Sequence, residues 1–183
     1  MLSFEEDFLN TLKRIDFLFE NQKILTECIK NYEGFTLFGE KIGPFVKGKK
    51  YELKFFLAKH LIKANILKVA PPEKCDHIDV QRYAIAERDD LKLVKWENNF
   101  FLNKIKAFSE FLEQEVKHNI RNKTDLDMFK SYALNVIDNR LLKLLRIAKT
   151  NLNLSDEARI TIAEKELLTR ISGLISIWRK FFV

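Results

Sequence analysis

The adjacent prolines Pro71 and Pro72 divide this sequence of 183 residues into two parts of different texture. Neither proline suits a helix interior, and each pushes the residue before it toward extended backbone geometry. Only three prolines and five glycines occur in the whole chain, so few residues interrupt helices elsewhere. We therefore predict a domain boundary here, with residues 1–72 forming the first domain and residues 73–183 the second.

The first part mixes short helical and strand-like segments. Apolar residues between Leu2 and Ile15 predict a small amphipathic helix, and residues 55–65 predict a second helix. The predicted strands are short apolar runs bounded by turn residues, and they cover residues 23–29, 35–38, 51–53 and 66–69. This combination predicts a small α/β domain.

The second part has the spacing of continuous helix. Apolar residues recur at steps of three and four through residues 101–116, 129–148 and 160–181. Thr124 and Ser155 are the predicted N-caps of the last two helices, and Asn151–Asn153 is a predicted interruption between them. The predicted fold class is therefore mainly α, with a small N-terminal α/β domain followed by an all-helical domain.

The net charge of +6 is unevenly distributed along the chain. Residues 1–40 carry eight acids and four bases, whereas residues 41–74 carry nine lysines against Glu52 and Glu73. Lysine-rich faces are usually just solvated, but such an asymmetry also indicates a polyanion partner. Lys47, Lys49 and Lys50 are the candidate contacts to nucleic acid.

No arrangement of side chains in the sequence is typical of an enzyme, so we expect no catalytic residue, no cofactor and no metal ion. Residues 43–50 approach a phosphate-binding loop, but Lys50 stands where that loop needs the hydroxyl that holds magnesium. Cys75 and His77 lie two residues apart, yet a structural zinc site needs a second pair of ligands. A turn, a buried thiol and a surface histidine are the expected roles.

Two aromatic clusters admit two interpretations. Trp96, Phe100 and Phe101 lie near lysines and could stack on bases, but aromatic residues at helical spacing usually belong to the core. The same core interpretation is favoured for the aromatic residues at the C-terminal end, which are Trp178, Phe181 and Phe182.

Residues 42–70 read IGPFVKGKKYELKFFLAKHLIKANILKVA and contain a sequence of local signals. A Gly-Pro-Phe turn and a glycine turn precede an extended stretch, a helix that opens with an aromatic-Leu-Ala triplet, and a strand followed by proline. The residues at the defining positions are Gly43, Pro44, Phe45, Gly48, Phe56, Leu57 and Ala58. This segment resembles the small B domain of GINS subunits, in the class where that domain comes first, and the short chain is similar to the archaeal form.

The second part resembles the same family over a shorter stretch. Residues 138–146 include Arg140 and Lys143, and they are similar to the Arg-x-x-Lys helix of the larger GINS A domain. One departure is Lys54, which precedes Phe55 and the aromatic-Leu-Ala triplet where the family often has proline.

The resemblance implies a scaffold subunit without catalysis. Two copies would pair with two copies of an A-domain-first GINS subunit, and the 2:2 heterotetramer would connect the MCM replicative helicase with a RecJ-like factor in DNA replication. Wide apolar helix faces suit such an obligate assembly. The residues expected at the subunit interface are Phe129, Val136, Arg140, Leu144, Leu167, Ile171 and Trp178.

An alternative function is a stand-alone nucleic-acid-binding protein that uses the basic segment 41–74. Tight DNA binding by the isolated chain, weakened steeply by salt, would favour this alternative over the scaffold. Whether DNA is contacted within a GINS assembly stays open at this point, as does a homotetramer.

The predicted location is the cytoplasm, in association with the nucleoid, or the nucleus if the source is eukaryotic. Acidic residues stand where a signal peptide would need basic ones, and no window of about 18 apolar residues could span a membrane. We therefore expect no membrane partner.

Overall fold

The computed structural model describes residues 3–96, 98–150 and 154–183 of the chain. The chain is 62% helical and its strands lie in the first part, which confirms the predicted mainly α fold class. The helices are α1 (Phe4–Glu20), α2 (Phe55–Lys63), α3 (His77–Asp89), α4 (Phe101–Lys117), α5 (Lys123–Ala148), α6 (Leu154–Glu157) and α7 (Ile162–Phe182). The strands are β1 (Lys23–Cys28), β2 (Phe35–Leu37), β3 (Glu40–Ile42), β4 (Lys50–Lys54) and β5 (Leu67–Val69).

The chain forms two compact units. The α/β unit spans Asp16–Lys74, and the helical unit combines Met1–Ile15 with Cys75–Val183. The sequence-based division assigns all of residues 1–72 to the first domain, whereas contacts to α7 tie the first turns of α1 to the helical unit. Arg170 donates to the Asp7 carboxylate at 2.7 Å, and its guanidinium lies over the rings of Phe4 and Phe8.

The α/β unit is built on a three-stranded antiparallel sheet in the order β4-β1-β5. Alternate residues of β1 point inward, and the hydroxyl of buried Thr26 is satisfied because it donates to the Tyr51 carbonyl at 2.8 Å. The core of the unit combines buried residues from the strands, from α2 and from the loop before β4, which are Cys28, Phe45, Leu61 and Leu67. A helix and a short sheet thus enclose one small apolar centre.

Strands β2 and β3 form a separate hairpin that the sequence predicts only in part. The expected strand at residues 35–38 ends at Leu37, and Phe38 and Gly39 form the turn into β3, which was not predicted. Both turn residues have positive φ, 51° and 84°, as a two-residue type I′ turn requires. At the other end of the hairpin, Gly34 and Gly43 face each other closely, and a Cβ on Gly34 would lie 2.1 Å from the Ile42 carbonyl oxygen.

In the helical unit, α5 is the central helix and packs against α3, α4 and α7. Two predicted caps are corrected. Helix α5 begins after Asn122 instead of Thr124, and Ser155 lies within the short α6. The long α7 is capped by Thr161, because the Thr161 hydroxyl accepts from the Glu164 N–H while the Glu164 carboxylate accepts from the Thr161 N–H. The predicted interruption at Asn151–Asn153 lies outside the described residues.

Candidate functional site

The residues that carry the GINS resemblance lie together in the α/β unit. Phe45 is buried, with its ring centroid 5.0 Å from that of Tyr51 and 6.3 Å from that of Tyr32. The Tyr51 hydroxyl accepts from the Val46 N–H and donates to the Pro44 carbonyl, so the aromatic cluster also holds the Gly-Pro-Phe turn.

The other motif positions have the backbone conformations and the burial that a turn and a packed helix require. Gly43 and Gly48 have φ of 118° and 82°, values that favour glycine. In the aromatic-Leu-Ala triplet, Ala58 is fully buried, while Phe56 and Leu57 are partly buried. The motif therefore organises the packing of this unit.

A buried ionic cluster lies at the centre of the helical unit. Its members come from three helices, and they are Glu87 of α3, Arg140 and Lys143 of α5, and Glu164 of α7. The Arg140 guanidinium binds Glu164 through two parallel hydrogen bonds of 2.5 and 2.8 Å, and it donates to Glu87 at 2.9 Å. Its remaining N–H groups donate to the carbonyls of Val94 and Arg159, so all five donors are satisfied.

Lys143 completes the neutralisation of this cluster. Its ammonium group donates to the Glu87 carboxylate at 2.6 Å and to the carbonyls of Glu87 and Lys92. Two cations therefore balance two carboxylates. Burial lowers the pKa of the Arg140 guanidinium, but the hydrogen bonds and charges of Glu164 and Glu87 outweigh that effect, so its pKa is raised. The Arg-x-x-Lys segment joins helices within the chain.

Most of the residues expected at the subunit interface are buried within the chain and are not available to a partner. Four of the expected interface residues, Phe129, Val136, Arg140 and Leu144, are at most 1% exposed within the chain itself. They face the interior because each lies on the side of α5 that packs against its neighbouring helices, and they leave no surface for a second subunit. Leu167 and Ile171 are partly buried against the same core.

Trp178 belongs to a different surface at the end of α7. Helices α5 and α7 run in the same direction, since Glu164 contacts Arg140 and Arg179 donates to the carbonyl of Lys149, the C-cap residue of α5. The final turn of α7 therefore extends past the end of α5. The side chains exposed there form what we call the C-terminal apolar surface: Leu174, Ile177, Trp178, Phe181 and Phe182.

The aromatic residues of the C-terminal apolar surface correct the core interpretation made from sequence. Trp178, Phe181 and Phe182 are 65%, 82% and 66% exposed, and their rings contact one another at 5.0–5.2 Å. Because a buried aromatic side chain removes about 150–250 Å² from water, these three rings expose roughly 400 Å². That value alone reaches the size of the largest apolar patch on a typical monomer, about 300–600 Å².

The other aromatic cluster is part of the core, as expected. Trp96 and Phe101 stack at 4.1 Å, and Tyr83 meets both rings edge-on at 4.7 Å. Trp96 also lies beneath the Arg140 guanidinium, 5.3 Å from its ring centroid. Both stacked rings are buried, so they present no face to a nucleic acid base.

The remaining candidate groups are dispersed. Within the described ranges 3–96, 98–150 and 154–183, no three His, Cys, Asp or Glu side chains are grouped to hold a metal ion. Burial raises the pKa of the Cys75 thiol to about 12, so this thiol is protonated near neutral pH. Lys47 and Lys49 are exposed on the loop before β4, and Lys50 is exposed as the first residue of β4.

Among the described residues, no helix is both long enough and apolar enough to cross a membrane. A comparison with protein-family models and with curated proteins finds no match to this chain.

Proposed function

We propose that the chain is a non-catalytic scaffold subunit of the GINS type, acting in DNA replication. In this role it binds an A-domain-first GINS subunit in a 2:2 heterotetramer, and the assembly connects the MCM helicase with a RecJ-like factor and stimulates the helicase. The sequence resemblance of residues 42–70 and 138–146 supplies the family. The physical support comes from a single feature, the C-terminal apolar surface.

An exposed surface of this kind favours a permanent partner. Interfaces that bury about 800 Å² per subunit are standard, and their centres are enriched in Trp and Phe. The three terminal rings supply roughly half of that area. The buried residues of α5 complete the chain's own core, so a partner would contact α7 instead of the inner face of α5.

The test is light scattering on a sizing column, with the chain alone and after co-expression with an A-domain-first GINS relative. We expect a mixed tetramer with equal numbers of the two subunits. Trp178→Glu should abolish it, because a carboxylate placed at the centre of an apolar interface has no partner for its charge.

Ile120→Glu is the matched control for this experiment. Ile120 is as exposed as Trp178, at 65%, but it lies in the turn between α4 and α5. We expect this variant to assemble like the wild type. A wild-type monomer that ignores the relative, or equal loss of assembly in both variants, would overturn the scaffold proposal.

A further inference from the structure

A cluster of lysines lies at the base of the β2–β3 hairpin in the α/β unit. The hairpin rests on a bridge between Tyr32 and Phe45, and lysines occur on the chain immediately outside this pair. We call them the hairpin-base lysines; they are Lys30, Lys47, Lys49 and Lys50, and all four are exposed.

The backbone that carries the hairpin-base lysines is held by hydrogen bonds. The Lys47 N–H donates to Asn31 Oδ1 at 2.7 Å, and the Gly48 N–H donates to the Cys28 carbonyl at 2.8 Å. The Cys28 N–H in turn donates to the Lys49 carbonyl at 2.9 Å, and its thiol donates to the Lys30 carbonyl. These bonds join the two chain segments, so Lys30, Lys47 and Lys49 in the loops and Lys50 at the start of β4 are presented together.

The hairpin-base lysines carry more charge than the nearby carboxylates balance, although Glu27 lies opposite Lys50 across β1 and β4. The nearby carboxylates of Glu27 and Glu52 already pair with Lys68 and Lys23, at 3.2 and 3.0 Å. None of the four lysines forms an ion pair with any residue in the described part of the chain. The hairpin itself carries two exposed carboxylates, Glu33 and Glu40, and one exposed lysine, Lys41, so the excess positive charge lies on the hairpin-base lysines.

The tip of the same hairpin carries an aromatic ring. Phe38 is 96% exposed and has φ of 51°, a backbone conformation that bulky side chains rarely adopt. A residue held in such a conformation at a surface suggests a functional constraint. The strand rise places the tip at most roughly 23 Å from the base, since Phe38 and Phe45 are seven positions apart in the chain.

We propose that this hairpin binds single-stranded nucleic acid, with phosphates on the hairpin-base lysines and a base stacked on Phe38. That upper limit corresponds to at most about seven stacked nucleotides, within the site sizes of about 4–16 nucleotides found for small single-strand-binding domains. Lysines that follow the backbone and an aromatic ring that stacks on a base are the two parts such sites combine. An acidic peptide would satisfy the lysines, but it has no flat base for the ring.

The experiment measures fluorescence anisotropy of a labelled thymidine oligonucleotide of about 20 residues titrated with the full-length chain. Four phosphate contacts predict that the affinity falls about 50-fold between 50 and 200 mM salt. Replacing three of the four lysines in Lys47→Gln/Lys49→Gln/Lys50→Gln should leave a loss of about 3-fold over the same range, and weaker binding at low salt.

The matched control changes the same charge on the helical unit. Lys92→Gln/Lys117→Gln/Lys123→Gln removes three exposed lysines and should keep the wild-type affinity and salt dependence. Phe38→Leu keeps an apolar side chain at the tip but removes the aromatic face, so binding should weaken about 5-fold or more.

Each outcome is decisive for this proposal. Equal effects of the two triple variants would mean that the binding is diffuse, and an unchanged affinity of Phe38→Leu would mean that no base is stacked there. Absence of oligonucleotide binding near 50 mM salt, or equally tight binding of a polyglutamate peptide of matched charge, would also overturn it. The proposal does not rest on the scaffold function, because the lysine variant should still assemble with the GINS relative.

Discussion

Replacing Arg140 with methionine tests the buried ionic cluster. Arg140→Met keeps a long apolar side chain but removes five hydrogen bonds, and it leaves Glu87 and Glu164 with Lys143 as their single cation. Breaking a buried pair in this way costs about 3–5 kcal/mol, because a carboxylate remains without a partner. That is a large fraction of the 5–15 kcal/mol that stabilises a typical domain. The melting temperature should fall by roughly 6–20 °C.

The assay is urea unfolding followed by far-ultraviolet circular dichroism and by tryptophan fluorescence, since Trp96 lies against the Arg140 guanidinium. Arg146→Met, an exposed change on the same helix, is the control and should cost less than about 0.5 kcal/mol. The second variant is Arg140→Met/Glu164→Gln. It leaves Glu87 balanced by Lys143, and Gln still suits the third position of the α7 capping box.

The double variant distinguishes unpaired charge from lost packing. If the cost of Arg140→Met comes from the unpaired carboxylate, neutralising Glu164 should recover part of it. The free-energy changes of Arg140→Met and of the single variant Glu164→Gln should then not add up to that of the double variant. We expect a coupling of about 1–3 kcal/mol. An Arg140→Met cost no larger than that of Arg146→Met would refute this reasoning. Strict additivity in the double variant would do so as well.

Three further predictions concern the backbone and a thiol. Gly34→Ala should destabilise the α/β unit by more than about 2 kcal/mol, because its Cβ would meet the Ile42 carbonyl, whereas Gly39→Ala, which meets no atom within 4 Å, should cost only about 1 kcal/mol in urea unfolding. Gly173→Ala should raise the free energy of unfolding by about 0.5–1 kcal/mol, and with it the melting temperature, because Gly173 lies in exposed helix with open space around it; a lower melting temperature would contradict this. In a variant without the other cysteine, Cys75 should react with a disulfide reagent at pH 8 only as fast as the chain unfolds, because Cys75 is 3% exposed and its raised pKa also keeps it protonated; rapid labelling of the folded chain would exclude this.

The sequence predicts those parts of the fold that depend on local spacing. The apolar steps along residues 101–116 and 129–148 correspond to α4 and α5, and the short apolar run in residues 23–29 corresponds to β1. Strand β3 was missed because it has one apolar residue, Ile42, after two charged ones, whereas the equally short β2 and β5 each have two apolar residues. Ser155 and Thr161 are both acceptable N-caps by residue type. Helix α7 begins after Thr161 because Glu164, three residues later, completes the capping box and binds Arg140 in the core.

The sites depend on contacts that a linear pattern does not contain. Arg140 meets partners 53 and 24 residues away in Glu87 and Glu164, so its burial is visible only once three helices are packed. Trp178 and Phe181 continue the apolar period of α7 without a change of spacing. These rings are exposed because α5 ends near Lys149, and no residue pattern within α7 indicates where that end lies.

The double role of Glu164 has a consequence for the orientation of the end of α7. One carboxylate both closes the first turn of the helix and binds Arg140, so it fixes the rotational phase of everything that follows. An α-helix advances about 100° per residue, and a single inserted residue before Leu174 would turn the C-terminal apolar surface by that angle. The direction in which Trp178 faces is therefore determined about four turns upstream, by a contact in the interior of the helical unit.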